Sequence, residues 1–281
     1  MVLLRSHFGC YHIAMLEYAP PALGFLHRVY RGARHWLLVW WRILRFALLM
    51  LILSATPSSY NRQSRQAMAR HLVLASSFNV LWFTVLTSLI SLVLIRIVVV
   101  TAQSYGVPQY ALQTVVRVLV LELIPLTAAL FVALRVTLPE GLEFAQLRAT
   151  GALATLQRQG VDLLRQEFLP RAVAGLFSVW LLAAVSCVTA LLLAYLSIYG
   201  FTPYALAGYT RVVGQVFEPA VGAILALKIL FFSFAVALIP LAGAYYDGGS
   251  RHKPAHGLID MLRLFSVLLL VEALALMGNY Y

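Results

Sequence analysis

The chain has 281 residues, 62% of them hydrophobic and only 11% charged, where an ordinary soluble domain carries about 25% charged residues. With a mean hydropathy of +0.87, it lacks the polar cover a soluble fold of this length needs. This excludes a soluble globular enzyme and a disordered chain, and indicates a multi-span helical membrane protein. The 21 Lys and Arg outnumber the 10 Asp and Glu, for a net charge of +11, which in a membrane protein sets orientation and attracts anionic lipid, so nucleic acid is not expected as a partner.

Residues 1–71 carry nine Arg and one acid, Glu17. The opening MVLLRSHF is short and broken by Arg5 and His7, so no cleaved signal peptide is expected, and Cys10 reads as an ordinary thiol. The apolar run Trp36–Leu53 reads as a helix lying in the membrane interface. At 100° per residue His27, Arg28, Arg31, Arg34, His35, Arg42 and Arg45 fall within an arc of about 120°. A cationic stripe on an otherwise apolar helix suits an interfacial anchor, and Arg42 and Arg45 at the centre of a span would be costly. Spanning remains the alternative.

Five further segments reach the roughly 20 apolar residues a crossing requires: approximately 72–100, 112–136, 172–199, 219–243 and 258–278. The linkers alternate in charge. AQSYGVPQYA carries none, and GFTPYALAGYTRVVGQ carries Arg211 alone. The linker 137–171 holds Arg148, Arg158, Arg165 and Arg171, and 244–257 holds Arg251 and Lys253. The positive-inside rule then places the N-terminus in the cytoplasm and, after five crossings, the C-terminus outside.

Chemical motifs are scarce. The chain has no GxxxxGK[ST], HExxH, GxSxG or CxxC. No nucleotide, hydrolase or metal site is expected, and the His252/His256 pair lacks a third ligand. Cys187 reads as a small hydrophobe. The informative residues are the charges at membrane depth: Arg96, Arg117, Glu122, Arg135, Lys228 and Glu272. Arg135 ends its span and can snorkel. Arg96 and Arg117 lie near the outer end of theirs, where snorkelling competes with coordination of a lipid phosphate. Glu122 shares a helical face with neither Arg117 nor Arg135, so its partner is expected on another helix.

The 55 residues from Leu121, LELIPLTAALFVALRVTLPEGLEFAQLRATGALATLQRQGVDLLRQEFLPRAVAG, resemble the MlaE/YrbE permeases, membrane subunits of ABC transporters that move lipids between bacterial membranes with an Mce-domain partner. Glu122 and Pro125 match the family's Glu-x-x-Pro. Ala133 and Arg135 match its Ala-Gly-Arg, and Glu143 the acid of the following segment. Asp162, Pro170 and Arg171 match later positions, Lys228 a lysine of the fourth span, and MGNYY the short outer tail. The chain departs at Leu134, Ala145 and Leu163, and at Gly151-Ala152 where the family has Glu-Gln.

The resemblance implies an all-α integral membrane protein, an N-terminal interfacial helix plus five transmembrane helices, with 72–281 as the permease domain. It implies a bacterial inner-membrane location and a homo- or heterodimeric permease. It implies no cofactor on this chain, with ATP bound by a separate cytoplasmic ABC ATPase, a periplasmic Mce-domain protein, phospholipid as cargo and room for a small cytoplasmic accessory protein. Segment 137–171 would couple to the ATPase through Glu143, Leu147, Arg148 and Asp162. Arg96, Arg117 and Glu122 are the candidate lipid-binding residues, Arg135 and Lys228 structural intramembrane charges. The departures in the coupling segment leave three arrangements: a divergent ATPase, a heterodimer with a more typical permease, or a subunit that has lost turnover; the rival reading is a non-transporting scaffold.

Overall fold

A computed structural model of the protein describes residues 21–56, 62–107, 110–158, 162–246 and 255–280. Cys10, Arg251, His252, Lys253 and Tyr281 lie outside the described residues. Eight helical elements follow in order: α1 (Pro21–Ala55), α2 (Arg62–Ser104), α3 (111–149), α4 (Ala152–Arg158), α5 (164–199), α6 (Leu206–Val216), α7 (Pro219–Tyr246) and α8 (Ala255–Tyr280). Among the described residues there is no strand. Six segments, in α1, α2, α3, α5, α7 and α8, are long and apolar enough to cross a membrane. Length and composition thus do not separate Trp36–Ser54 from the five expected spans.

The described residues fall into two units divided after Arg45. In the first, Trp36, Leu37, Leu38 and Trp41 are exposed, as are Arg34 and Arg42. The second unit is the helical bundle. Its most extensive packing joins α2 to α5, and the sequence shows why. The buried positions of α2 among the described residues are Phe83, Thr87, Ser91 and Ile95; those of α5 include Ala174, Ser178, Leu182, Ser186, Ala190 and Ala194. Both series repeat every four residues, so they form ridges along one face of each helix. Small Ala and Ser side chains on α5 let the backbones approach, which is how helices associate where lipid removes the hydrophobic drive. On α5, Gly175 also lets α3 and α7 come close: a Cβ there would stand 3.1 Å from Thr137 Cγ2 of α3 and 3.4 Å from the Ala237 Cβ of α7. The central helix α7 is buried all round from Ala235 to Ala242.

The linker 137–171, where the resemblance implies a helix, is largely helical. The second expected span runs without interruption into Leu138–Ala149, and Leu164–Phe168 runs directly into the third. Three stretches are π-helical: Val116–Leu123, Ala133–Thr137 and Leu164–Phe168. Each ends two residues before a proline: Pro125, Pro139 and Pro170. A proline inside a helix lacks the N–H for the carbonyl four residues back and clashes with it; a wider turn just before it relieves the clash. Thus the three π-helical stretches let α3 and α5 continue past these prolines as irregular rods where they would otherwise break.

Candidate functional site

Pro125 also explains the first polar site. It cannot donate to the Leu121 carbonyl, and the Lys228 ammonium of α7 donates to that oxygen instead, at 3.0 Å. The same ammonium donates to Glu122 Oε2 and, at 2.9 Å, to Glu272 Oε1 of α8. A lysine has three N–H donors, and all three are used. The Lys228 side chain is only 1% exposed, so each bond replaces a hydration contact that the interior cannot supply. Asn279 Nδ2 donates to Glu122 Oε1 at 3.1 Å. The spacing of α8 makes this possible: Leu264, Leu268, Glu272, Ala275 and Asn279 share one helical face, and its three apolar members are buried. One ammonium and two carboxylates thereby tie α3, α7 and α8 together.

The partner expected for Glu122 on another helix is therefore Lys228, with Glu272 and Asn279 beside it. Sequence reasoning flagged Glu272 only as a charge at depth and passed over Asn279. Their seven-residue spacing was the available signal. Arg96 and Arg135 are exposed; Arg117 is half-buried, with Nε buried and donating to nothing. None of the three makes an ion pair among the described residues.

The second site lies at the Arg-rich end of the bundle. Glu143, exposed, and Leu147, half-buried, sit on Leu138–Ala149. On the same helix Arg148 Nη1 donates to the Tyr245 carbonyl of α7. Asp162 is exposed and pairs with Arg165 at 3.4 Å. Between these charges lies an aromatic cluster that the sequence did not announce. Phe144 stacks on Phe168 with centroids 4.3 Å apart and planes at 10°. Phe168 meets Tyr245 edge-on at 5.7 Å and Phe46 at 6.0 Å. The Arg171 guanidinium caps the stack, 4.1 Å from the Phe144 centroid. A cation over a ring face and offset aromatic pairs each add attraction beyond simple burial. Gly141 lets this helix lie on α7: a Cβ there would stand 3.1 Å from the Pro240 carbonyl oxygen. The linker expected to couple the chain to a partner is thus bound to α5 and α7 through ring contacts.

A cavity of about 170 Å³ separates α2 from α3, lined by Phe83, Ile90, Leu119, Leu123, Leu130 and Phe131 among others. Its wall is almost wholly apolar. Being partly open, it offers small apolar groups an apolar surface between the two helices. At the opposite end from the aromatic cluster, Tyr209 of α6 donates to the Leu191 carbonyl at 2.8 Å and packs against Tyr195 and Tyr199. Burial, reinforced by the neighbouring Tyr199, pushes its phenol up to about 12.

Against known families, the description Permease MlaE matches residues 68–276. No curated protein matches the chain.

Proposed function

Because the chain belongs to the MlaE permease family, and is thereby a membrane subunit of a lipid ABC transporter, we propose that it moves phospholipid or a related lipid between the inner and outer membranes of a bacterium. The observation that carries this reading is the unbroken extent of the family match, from the first long apolar helix of the bundle to the last. In the proposal the chain sits in the inner membrane with its N-terminus in the cytoplasm, its C-terminus outside and residues 36–53 in the interface; the excess of Arg at one end of the bundle supports this. It works as a homo- or heterodimer under a periplasmic Mce-domain protein, with a small cytoplasmic accessory protein as a further partner. ATP is bound by a separate ATPase, which engages Glu143, Leu147, Arg148 and Asp162. Acyl chains pass along apolar surface such as the α2–α3 cavity. Arg96 and Arg117 meet the anionic headgroup, and the Glu122–Lys228–Glu272 cluster keeps three helices in register beside that path.

The test is lipid-stimulated ATP hydrolysis and lipid transfer by the complex reconstituted in vesicles. Stimulation by phospholipid is expected. A complex that assembles yet neither moves lipid nor responds to it would instead establish the second reading, a non-transporting scaffold or inactive half of a heterodimer. The departures at Leu134, Ala145, Gly151-Ala152 and Leu163 favour that reading.

A further inference from the structure

Segment 138–163 is bounded by the π-helical stretches Ala133–Thr137 and Leu164–Phe168. Such stretches interrupt the regular hydrogen-bond ladder and recur at functional sites. Between them, one side chain of α5 grips Leu138–Ala149. Arg171, 8% exposed, sets its guanidinium over the Phe144 ring and its Nη2 3.4 Å from Glu167, one turn back on its own helix. The rest of the fork is unused: Nε and Nη1 are buried and donate to nothing among the described residues. One turn from Phe144, on the same face of its helix, stands Glu140. Its Oε2 is buried and accepts nothing, although Arg171 is the charge that attracts it. Glu143 repels it. A buried acceptor thus stands one helical turn from the ring that Arg171 covers, while two buried donors of that guanidinium stay unused. Each costs free energy while it stays so. A shift of Leu138–Ala149 against α5 by part of a turn would join them at the expense of the ring contact.

The geometry points to Glu140 and Arg171 as the two halves of a latch, in which the guanidinium rests on Phe144 in one position of the coupling helix and binds Glu140 in the other. Both are positioning residues. The latch relies on the transporter reading only for what drives it, namely an ATPase pressing on the coupling segment. The bistability belongs to this chain alone.

Electron-paramagnetic distance measurements test it on the full chain in lipid nanodiscs. Cys10 and Cys187 are replaced by Ser, and spin labels are attached at Gln146→Cys and Val188→Cys, both exposed positions. Two distance populations are expected, differing by up to about 5 Å, one helical turn. Glu140→Gln should deplete the second population about fivefold or more, and Glu140→Asp should restore part of it. Thermal unfolding of Glu140→Gln should be no lower than wild type, since the substitution removes a buried carboxylate oxygen that accepts nothing among the described residues. A single population, or two that ignore Glu140→Gln, overturns the latch. With the copurifying ATPase and ATP, equal lipid movement per ATP in wild type and Glu140→Gln would also overturn it. Populations that respond to nucleotide while no lipid moves would sink the transport reading and leave the latch standing.

Discussion

The two ends of the bundle are held by opposite means. Towards the uncharged end, Lys228, Glu122 and Glu272 join three helices through charges that have nowhere else to go. At the Arg-rich end, Phe144, Phe168, Tyr245 and Arg171 join Leu138–Ala149 to α5 and α7 through rings. A buried ion cluster tolerates little displacement, because moving one member leaves the others uncompensated in a low-dielectric interior. Stacked and edge-on rings have broad, shallow minima and can slide. A transporter needs both: a part that stays fixed in the bilayer and a part that yields when a partner pushes.

The sharpest way to break this contrast is Lys228→Met, which strands two carboxylates. It should cost about 3–5 kcal/mol, read as a large loss of folded protein or a fall in the denaturation midpoint in detergent. Adding Glu122→Gln and Glu272→Gln should recover much of that loss, because neutral groups need no counter-charge. Failure to recover would mean that Lys228 acts by packing rather than by charge. Phe168→Ala at the other end should cost about 3 kcal/mol through the cavity it leaves. It should also weaken the link between ATP hydrolysis and lipid movement, which Lys228→Met followed by neutralisation should spare.

Smaller effects sharpen the picture. Tyr209→Phe removes the bond to the Leu191 carbonyl and should cost about 1 kcal/mol. Folding raises the Tyr209 phenol from 10.0 to about 12, so the folded state holds that proton longer than the unfolded chain. Its contribution is complete below pH 10 and is lost as pH rises through about 12. Thermal scans across that window should fall in wild type and flatten in Tyr209→Phe. Least affected of all in stability should be the double variant Arg96→Gln/Arg117→Gln, whose guanidiniums make no ion pair among the described residues. Its readout is copurified anionic lipid. Reduced lipid with unchanged unfolding would support a headgroup role, and unchanged lipid would make both arginines interfacial anchors.

Composition, apolar run length and charge alternation determined the class of this protein, its long helices and the residues that could not be bystanders. Glu122 and Lys228 stood out because ionised groups at membrane depth are expensive in any fold. The helical face of Glu122 already required a partner from elsewhere. These are local or additive properties, readable along a single chain. Which carboxylate would share Lys228, and that Asn279 would reach Glu122 from the end of α8, depended on three helices meeting at one depth. The aromatic cluster was equally invisible, since Phe46, Phe144, Phe168 and Tyr245 are far apart in the chain and each looks like an ordinary apolar residue. Only tertiary structure decided that the linker would be stacked on α5 and α7 through these rings. The prolines that might have ended α3 and α5 are absorbed by π-helical turns, and packing against α7 makes that irregular backbone worth keeping.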